Sequence, residues 1–233
     1  MPAKAKPASQ APSQQKSGAD LATRMLRAGL LCGLVAPVLW AAMIVITGEL
    51  RPGFDHVVQY ISELGERGSS TEIPMRYGGF VATGLMHIGY ALAFYTTVNC
   101  GTHRSRLTLL VALLIALNGL GRIGAGIFSC EPGCAAPDVL SQRLHGQSAT
   151  IAFLAIAGAA LLGAILFRST RQLRSLSAYS LISGGAGLIF LALMSASEAT
   201  HAHTGLYERL ASGVLTLWVF VTALRLRGID HDI

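Results

Sequence analysis

Arg122 is the charged residue with the most unusual position in the sequence, because it lies inside a long apolar run. Asn118 precedes it by one helical turn, so the two side chains project from the same helix face. Four glycines surround the pair: Gly119, Gly121, Gly124 and Gly126. An ionisable group at hydrocarbon depth is costly, so Arg122 should face the protein interior, beside a carboxylate or a water-filled cavity.

The predicted role of Arg122 is to anchor an anionic head group or to form an essential charge pair. Four acidic residues are candidate partners for its charge: Asp55, Glu63, Glu198 and Glu208. Candidate ligand contacts beside Arg122 are Asn118, Glu63, Tyr207 and Glu208. The alternative is that the long arginine side chain snorkels to lipid phosphates.

Histidines indicate a second kind of chemistry. His145 is expected to open the fourth apolar run, and His201 and His203 lie two residues apart in a later outer loop. Three imidazoles and a water molecule form a known catalytic zinc site, and Glu198 or Glu208 would add a carboxylate. The same residues are candidate acid–base groups. Zinc stays an alternative, because a spacing of two lacks the helical offset of strong metal motifs.

The segment Cys130-Glu131-Pro132-Gly133-Cys134 carries two thiols around a turn signal. A Pro-Gly turn brings the two sulfurs together, and an oxidising exterior then predicts a small-loop disulfide. A metal site using both thiolates is the weaker alternative, since such pairs in structural zinc sites usually recur and this one does not. Cys32, inside the first run, and Cys100, on the other side of the membrane, are not expected to pair with them.

Glu208 and His87 each have a structural interpretation as well as a functional one. Glu208 is predicted near the start of the sixth run, where a negative charge suits the helix dipole. A capping role there competes with partnership to Arg122 or His145. His87 lies near the middle of the second run, where a hydrogen-bonded packing histidine is expected rather than a proton relay.

These residues must be positioned by membrane-spanning helices. The chain has 233 residues, of which 52% are hydrophobic and 13% charged, whereas soluble domains carry about 25% charged residues. Six continuous apolar runs have the length, about 20 residues, that crosses a bilayer as a helix: Ala28 to Gly48, Tyr77 to Asn99, Leu107 to Ser129, Gly146 to Phe167, Leu176 to Ser197 and Leu206 to Leu226. The first run is interpreted as a retained helix rather than a signal peptide. The predicted fold is an all-α, polytopic bundle.

Basic residues indicate the orientation of this bundle, because Lys and Arg in short loops tend to stay cytoplasmic. Twelve fall on one predicted side of the membrane and five on the other, with Arg122 inside a span. Nine of the twelve acidic residues lie on the opposite, outer side. The sequence therefore predicts a plasma-membrane protein with both termini in the cytoplasm. Topology explains the net charge of +6, and nucleic-acid binding is not needed to explain it.

Composition divides the chain into three parts. Residues 1–24 are predicted to be a disordered cytoplasmic tail, 25–228 the transmembrane domain, and 229–233 a short cytoplasmic tail. In the first outer loop, apolar residues recur at helical spacing after Pro52-Gly53, which predicts an amphipathic helix ending near Gly65 or Gly68. Small residues at four-residue spacing in the fourth and fifth runs predict close helix packing and leave a homo-oligomer open.

Four short segments resemble a known family. They are Ile61-Ser62-Glu63-Leu64-Gly65, Gly126 to Cys134, His145-Gly146 and Tyr207-Glu208-Arg209. Together they are similar to the bacterial and archaeal multi-pass membrane family catalogued as domain of unknown function 998, over roughly residues 25 to 226. Where that family is expected to have Pro-Cys-Asp-Pro, this chain has Ser129-Cys130-Glu131-Pro132. The resemblance implies a membrane architecture and an outer location for the site, and it implies no reaction.

The leading prediction is a membrane protein whose outer-leaflet pocket around Arg122 engages a lipid head group or a small anionic molecule. Membrane lipids are the expected partners. One alternative is a lipid hydrolase or transferase, metal-dependent or using acid–base groups. The sequence is also compatible with a small-molecule transporter and with an accessory membrane protein. No phosphate-cradling glycine loop is present, so nucleotide-driven work is not expected.

Overall fold

The computed structural model describes residues 11–99, 105–200 and 202–230, and this part of the chain is helical without a strand. The six long helices are α1 (Ala11–Glu49), α2 (Ala82–Asn99), α3 (Ser105–Ile127), α4 (Leu140–Arg168), α5 (Leu176–Ser197) and α6 (Thr204–Asp230). A π-helical stretch, Pro74–Val81, leads directly into α2. Short 3-10 helices cover Ile61–Gly65, Pro132–Cys134 and Arg171–Leu173.

Two predicted boundaries differ from these helices. The helix α1 begins at Ala11, so it extends through part of the predicted tail, where Ala, Gln and Leu are good helix formers. The remaining tail residues, 1–10, lie outside the described residues, as do 231–233. The helix α4 begins at Leu140 rather than at Gly146, so His145 lies in its second turn instead of at its start.

The six helices form a closed ring. Each helix packs against the next one along the chain, and α1 packs against α6. The helix α6 also contacts α2 and α4 across the bundle. Six crossings return the chain to the side on which it started, so Ala11 and Asp230 lie at the same end of the bundle.

Glycines allow α3 to approach both of its neighbours closely. A Cβ atom at Gly119 would lie 2.6 Å from the carbonyl oxygen of Gly84 on α2, and one at Gly121 would lie 2.6 Å from that of Ser148 on α4. Such short separations permit dispersion contacts between helices in lipid, where burial of apolar surface drives no pairing. The glycines around Arg122 therefore draw this face of α3 into the bundle.

The small residues of the fourth and fifth runs pack closely, as predicted. Gly184 of α5 faces Leu161 of α4, and Gly187 faces Leu215 of α6, with no space for a Cβ atom in either case. The buried residues of α5 are confined to one stretch: Ser180, Ser183, Gly184 and Gly187. The last ten residues of α5 are not buried. They lie toward the end of the bundle opposite Ala11 and Asp230, which we call the outer end after the orientation predicted from the basic residues.

The inner half of the bundle is filled by aromatic side chains. Tyr90, Phe94, Phe167 and Trp218 are among the largest fully buried residues and belong to one hydrophobic cluster. Their polar atoms are paired, because Tyr90 Oη donates to Thr222 Oγ1 at 2.8 Å and Trp218 Nε1 donates to a serine hydroxyl of α5 at 2.9 Å. This half of the bundle is solidly packed.

The first outer loop does not form the amphipathic helix predicted from its periodicity. After Gly53, whose φ is +74°, the chain makes turns, and helix is limited to the five residues Ile61–Gly65. The Asp55 side chain accepts the backbone N–H of Val57 at 2.8 Å, a local bond that competes with helix formation. We call residues 54–66 the lid, because buried Ile61 and Leu64 insert it into the outer end of the bundle.

The close contact between α2 and α3 predicts a contrast between two glycine substitutions. Gly119→Ala should destabilise the protein by about 1–3 kcal/mol, because the added methyl group overpacks a helix contact. Gly185→Ala should not destabilise it, because nothing lies within 4 Å of the position that a Cβ atom would take. Thermal unfolding of both variants in detergent measures the difference. Equal unfolding temperatures would contradict the close approach.

The orientation of the bundle predicts the accessibility of Cys100. In intact cells, Cys100 should not react with a membrane-impermeant maleimide, and permeabilisation should expose it, because the loop after α2 is expected to be cytoplasmic. Ser70→Cys, at an exposed position of the first outer loop, is the matched control that should react in intact cells. Labelling of Cys100 without permeabilisation would reverse the assigned topology.

Candidate functional site

Arg122 lies at the wall of a chamber of about 40 Å³ in the outer half of the bundle, where polar and apolar side chains both contribute to the lining. Its side chain is buried, with 8% of the residue exposed. Its Cζ atom lies 4.3 Å from the centre of the Trp40 ring, and its Nη1 donates to Thr83 Oγ1 at 3.3 Å. Its Nε atom is buried without a hydrogen-bond partner. The guanidinium is thus stacked on an aromatic face and still has an unused donor.

The expected carboxylate partner of Arg122 is not found. Within the described ranges Arg122 forms no ion pair. Glu208 lines the same chamber, whereas Asp55, Glu63 and Glu198 do not. Arg122 therefore lies beside a cavity and not in an ion pair within the described part of the chain.

Asn118 lies one turn below Arg122 and lines the same chamber, as its spacing predicts. Its Nδ2 donates to the carbonyl oxygen of Ala152 at 2.9 Å, which ties α3 to α4. Its Oδ1 is buried and has no partner. Asn118 therefore brings an unused hydrogen-bond acceptor to the chamber wall.

His145 reaches the chamber from α4, and only 4% of the residue is exposed. Its Nδ1 lies 2.9 Å from the carbonyl oxygen of Ala125 and 2.8 Å from that of Phe128. Both partners are acceptors, so Nδ1 must carry a hydrogen. In the neutral imidazole this tautomer leaves a lone pair on Nε2, which is buried without a partner.

His87 combines the predicted packing role with a position in the chamber wall. Its Nδ1 lies 2.7 Å from the carbonyl oxygen of Thr83, one turn earlier on α2. The ring also lines the chamber, which the sequence did not indicate. Trp40 and Ser62 are two further wall residues missed by sequence reasoning, although Ser62 lies in one of the segments that carry the family resemblance.

Glu208 binds the lid rather than capping its own helix. Its Oε2 accepts the backbone N–H of Ile61 at 2.6 Å, and 8% of the residue is exposed. The first amides of α6 also donate to the lid, from Gly205 to Val58 at 3.2 Å and from Leu206 to Val57 at 2.8 Å. The start of α6 is therefore a docking edge for the lid.

A larger outer cavity, of about 370 Å³, adjoins the chamber, and we call it the vestibule. Both cavities are lined by Ser62, Ala149, His145, Phe153 and Glu208. The vestibule continues between α4 and α5, along Leu154, Leu191 and Met194. Leu154 is 54% exposed on the lipid-facing side of α4. The vestibule thus reaches the lateral surface of the bundle, beside the outer half of α5.

Tyr60 and Glu198 lie at the outer rim of the vestibule. Burial and the nearby carboxyl groups of Glu198 and Glu208 raise the pKa of the Tyr60 hydroxyl above its usual range. The hydroxyl donates a hydrogen bond to the Glu198 side chain. Glu198, predicted as a metal ligand or acid–base group, is an exposed residue that follows α5.

Several predicted site residues lie away from both cavities. Buried Glu63 accepts the backbone N–H of Tyr60 at 2.8 Å and Gln59 Nε2 at 2.7 Å, so its carboxylate organises the lid. Tyr207 packs near exposed His203, with ring centres 6.2 Å apart. Neither lines the chamber or the vestibule.

The structure does not support the three-histidine metal arrangement. His145 is buried in the bundle, His203 is exposed outside it, and His201 lies outside the described residues. In the part of the chain that is described, no group of three or more His, Cys, Asp or Glu side chains is placed to hold a metal ion.

The Cys130–Cys134 disulfide, the pairing expected from the Pro-Gly turn, lies against the lid. Cys134 Sγ is 3.6 Å from Ser62 Oγ. Glu66 Oε2 accepts the backbone N–H of Gly133 at 2.7 Å, and its other oxygen pairs with Arg51 at 2.5 Å. The disulfide turn and the lid therefore form one hydrogen-bonded unit above the chamber.

These features define the class of the protein. Among the described residues, six helices are long and apolar enough to cross a membrane, so the chain is a multi-pass integral membrane protein. Residues 34–225 match the model of the family described as protein of unknown function (DUF998), and the chain belongs to this family. No curated protein and no solved structure matches the chain.

The contact between His56 and Arg209 predicts a pH-dependent lid. Arg209 Nε donates to His56 Nδ1 at 3.1 Å, and burial and the Arg209 charge lower the His56 pKa below its ordinary value of 6.5. An opened lid therefore binds a proton more tightly than a closed one, and the closed lid should lose stability as the pH falls below 6.5.

Hydrogen exchange of residues 54–66 at pH 7.5 and 5.5, corrected for intrinsic rates, measures this effect. Faster exchange at the lower pH is expected for the unmodified protein. His56→Gln keeps a polar side chain that does not titrate, so its exchange should not change. The same pH response in both proteins would assign the effect to another group.

Proposed function

We propose that the chamber and the vestibule bind the head group of an outer-leaflet lipid, with an anionic oxygen held by Arg122. The observation that carries this proposal is the unused Nε donor of a buried guanidinium that has no carboxylate partner among the described residues. A buried, unpaired charge is costly, and a ligand oxygen would compensate it. Arg122 is thus the anchor of the proposed site.

The lateral opening supports a lipid over a soluble ligand. Leu154, Leu191 and Met194 line the vestibule beside the outer half of α5, so acyl chains can stay in the membrane while the head group enters. Three groups that can carry charge, His145, Glu208 and Arg122, line the chamber that adjoins this opening.

The packed inner half supports binding over transport. A transported molecule would have to pass the cluster of Tyr90, Phe94, Phe167 and Trp218, which fills the bundle below the chamber. In the orientation predicted from the basic residues, the vestibule belongs to the outer leaflet of the plasma membrane, and both termini are cytoplasmic.

Chemistry on the bound lipid is a second candidate, favoured by one observation. The two carbonyl partners of His145 Nδ1 leave Nε2 as the group that can accept a proton from a water molecule or a lipid hydroxyl. An ester hydrolase would release fatty acid or head group from a lipid incubated with the purified protein. Release that His145→Ala abolishes would favour this candidate.

Native mass spectrometry of the purified chain tests the proposed site. An anionic lipid should copurify, and Arg122→Gln should weaken its retention by about 10- to 100-fold, the effect of losing a hydrogen bond to a charged group. Arg143→Gln, at an exposed outer position, is the matched control and should retain the lipid. Thermal unfolding of each variant confirms folding. Equal retention in Arg122→Gln and the unmodified protein would refute the site.

A further inference from the structure

Three buried polar atoms around the chamber have no partner: Arg122 Nε, Asn118 Oδ1 and His145 Nε2. The groups around each atom determine whether it can donate or accept a hydrogen bond. The guanidinium Nε is a donor. The Asn118 amide nitrogen is held by the Ala152 carbonyl, so the oxygen of this chamber-lining residue is an acceptor without a partner. The His145 Nδ1 hydrogen is held by two carbonyl oxygens, so Nε2 of the neutral ring is also an acceptor.

The two acceptor residues, Asn118 and His145, lie on opposite sides of the Arg122 guanidinium along the bundle axis. Asn118 is four residues before Arg122, about 6 Å deeper at 1.5 Å per residue. His87, at the same depth, lies one turn below the Thr83 that contacts Arg122. His145 lies nearer the outside, level with Ala125 and Phe128. A ligand that enters from the vestibule therefore passes His145, reaches Arg122 and ends at Asn118.

The order of His145, Arg122 and Asn118 along the bundle axis determines which lipid head groups can satisfy all of the proposed contacts. The phosphate would lie on Arg122, and the group beyond it must donate a hydrogen bond to Asn118 Oδ1. A choline group has no N–H or O–H to donate, and a phosphate monoester has no group beyond the phosphorus. A primary ammonium would donate, but its charge would lie beside the guanidinium among the neutral side chains of Asn118 and His87, so the two cations would repel.

The chamber volume agrees with a short terminal group. The chamber measures about 40 Å³ and the vestibule about 370 Å³, so the chamber can take only a short polar group and the rest of the lipid lies in the vestibule. We infer that the head group bound at the proposed site is a phosphate diester that ends in a neutral hydroxyl group, as in phosphatidylglycerol. This inference rests on the proposed function and specifies its ligand.

A binding series on the full chain in detergent tests the inference, with four lipids of identical acyl chains. The lipids are phosphatidylglycerol, its hydroxyl-free analogue phosphatidylpropanol, phosphatidylethanolamine and phosphatidylcholine, each measured by native mass spectrometry. Phosphatidylglycerol should bind about tenfold or more tightly than each of the others, because the hydroxyl-free and choline groups leave Asn118 Oδ1 unpaired and the ammonium is repelled by Arg122. The comparison of phosphatidylglycerol with phosphatidylpropanol changes only the ligand, so it does not depend on the folding of a variant.

Two further experiments test the role of Asn118 and whether the ligand is an intact lipid or a free head group. Asn118→Leu should reduce the preference for phosphatidylglycerol over phosphatidylpropanol toward onefold, whereas Arg143→Gln should preserve it. Glycerophosphoglycerol, the deacylated head group, should compete only weakly, because it lacks the acyl chains that would lie beside Leu154, Leu191 and Met194. Competition as strong as that of the intact lipid would overturn the assignment of a lipid ligand.

The outcomes distinguish this inference from the function on which it rests. Equal binding of phosphatidylglycerol and phosphatidylpropanol, with both lost in Arg122→Gln, would overturn the hydroxyl requirement and leave the lipid site in place. Tighter binding of phosphatidylethanolamine would also overturn it. No binding of any of the four lipids to the unmodified protein would overturn both.

Discussion

The outer half of this protein depends on the requirement that a guanidinium at membrane depth must be shielded from hydrocarbon. Gly119 and Gly121 let α3 approach α2 and α4 so closely that Arg122 turns into the bundle. There the Trp40 ring covers the charge, at 4.3 Å from Cζ to the ring centre, a favourable contact for a desolvated cation. The lid and the disulfide turn complete the enclosure above it.

The acidic residues of the outer side act mainly on the protein itself. Glu63 and Glu208 accept backbone amides of the lid, and Glu66 joins the lid to the disulfide turn. Glu72 forms an ion pair with Arg76, whose guanidinium also donates to the carbonyl oxygens that end α3. Most of the outer charge that the sequence displays is therefore used in folding an irregular loop, and little of it is left for a ligand.

The sequence predicts features that depend on local composition. The six spans follow from apolar length, and the inward orientation of Asn118 and Arg122 follows from helical spacing and the cost of exposing a charge to lipid. The roles of Glu63 and His145 could not be predicted in this way, because they depend on contacts with Tyr60 and Ala125 that the folded chain creates. The lid residues do not form the amphipathic helix that their periodicity predicts, because tertiary contacts with the bundle outweigh this local pattern.

The unburied outer half of α5 has a mechanical consequence. Its inner half is held by Gly184 and Gly187 against α4 and α6, but no residue of its last ten is buried against the protein. The position of this helix end therefore depends on the lateral pressure of the surrounding bilayer as well as on protein contacts. The thickness and tension of the membrane therefore influence the width of the vestibule opening between α4 and α5. In this way the vestibule is coupled to the physical state of the leaflet.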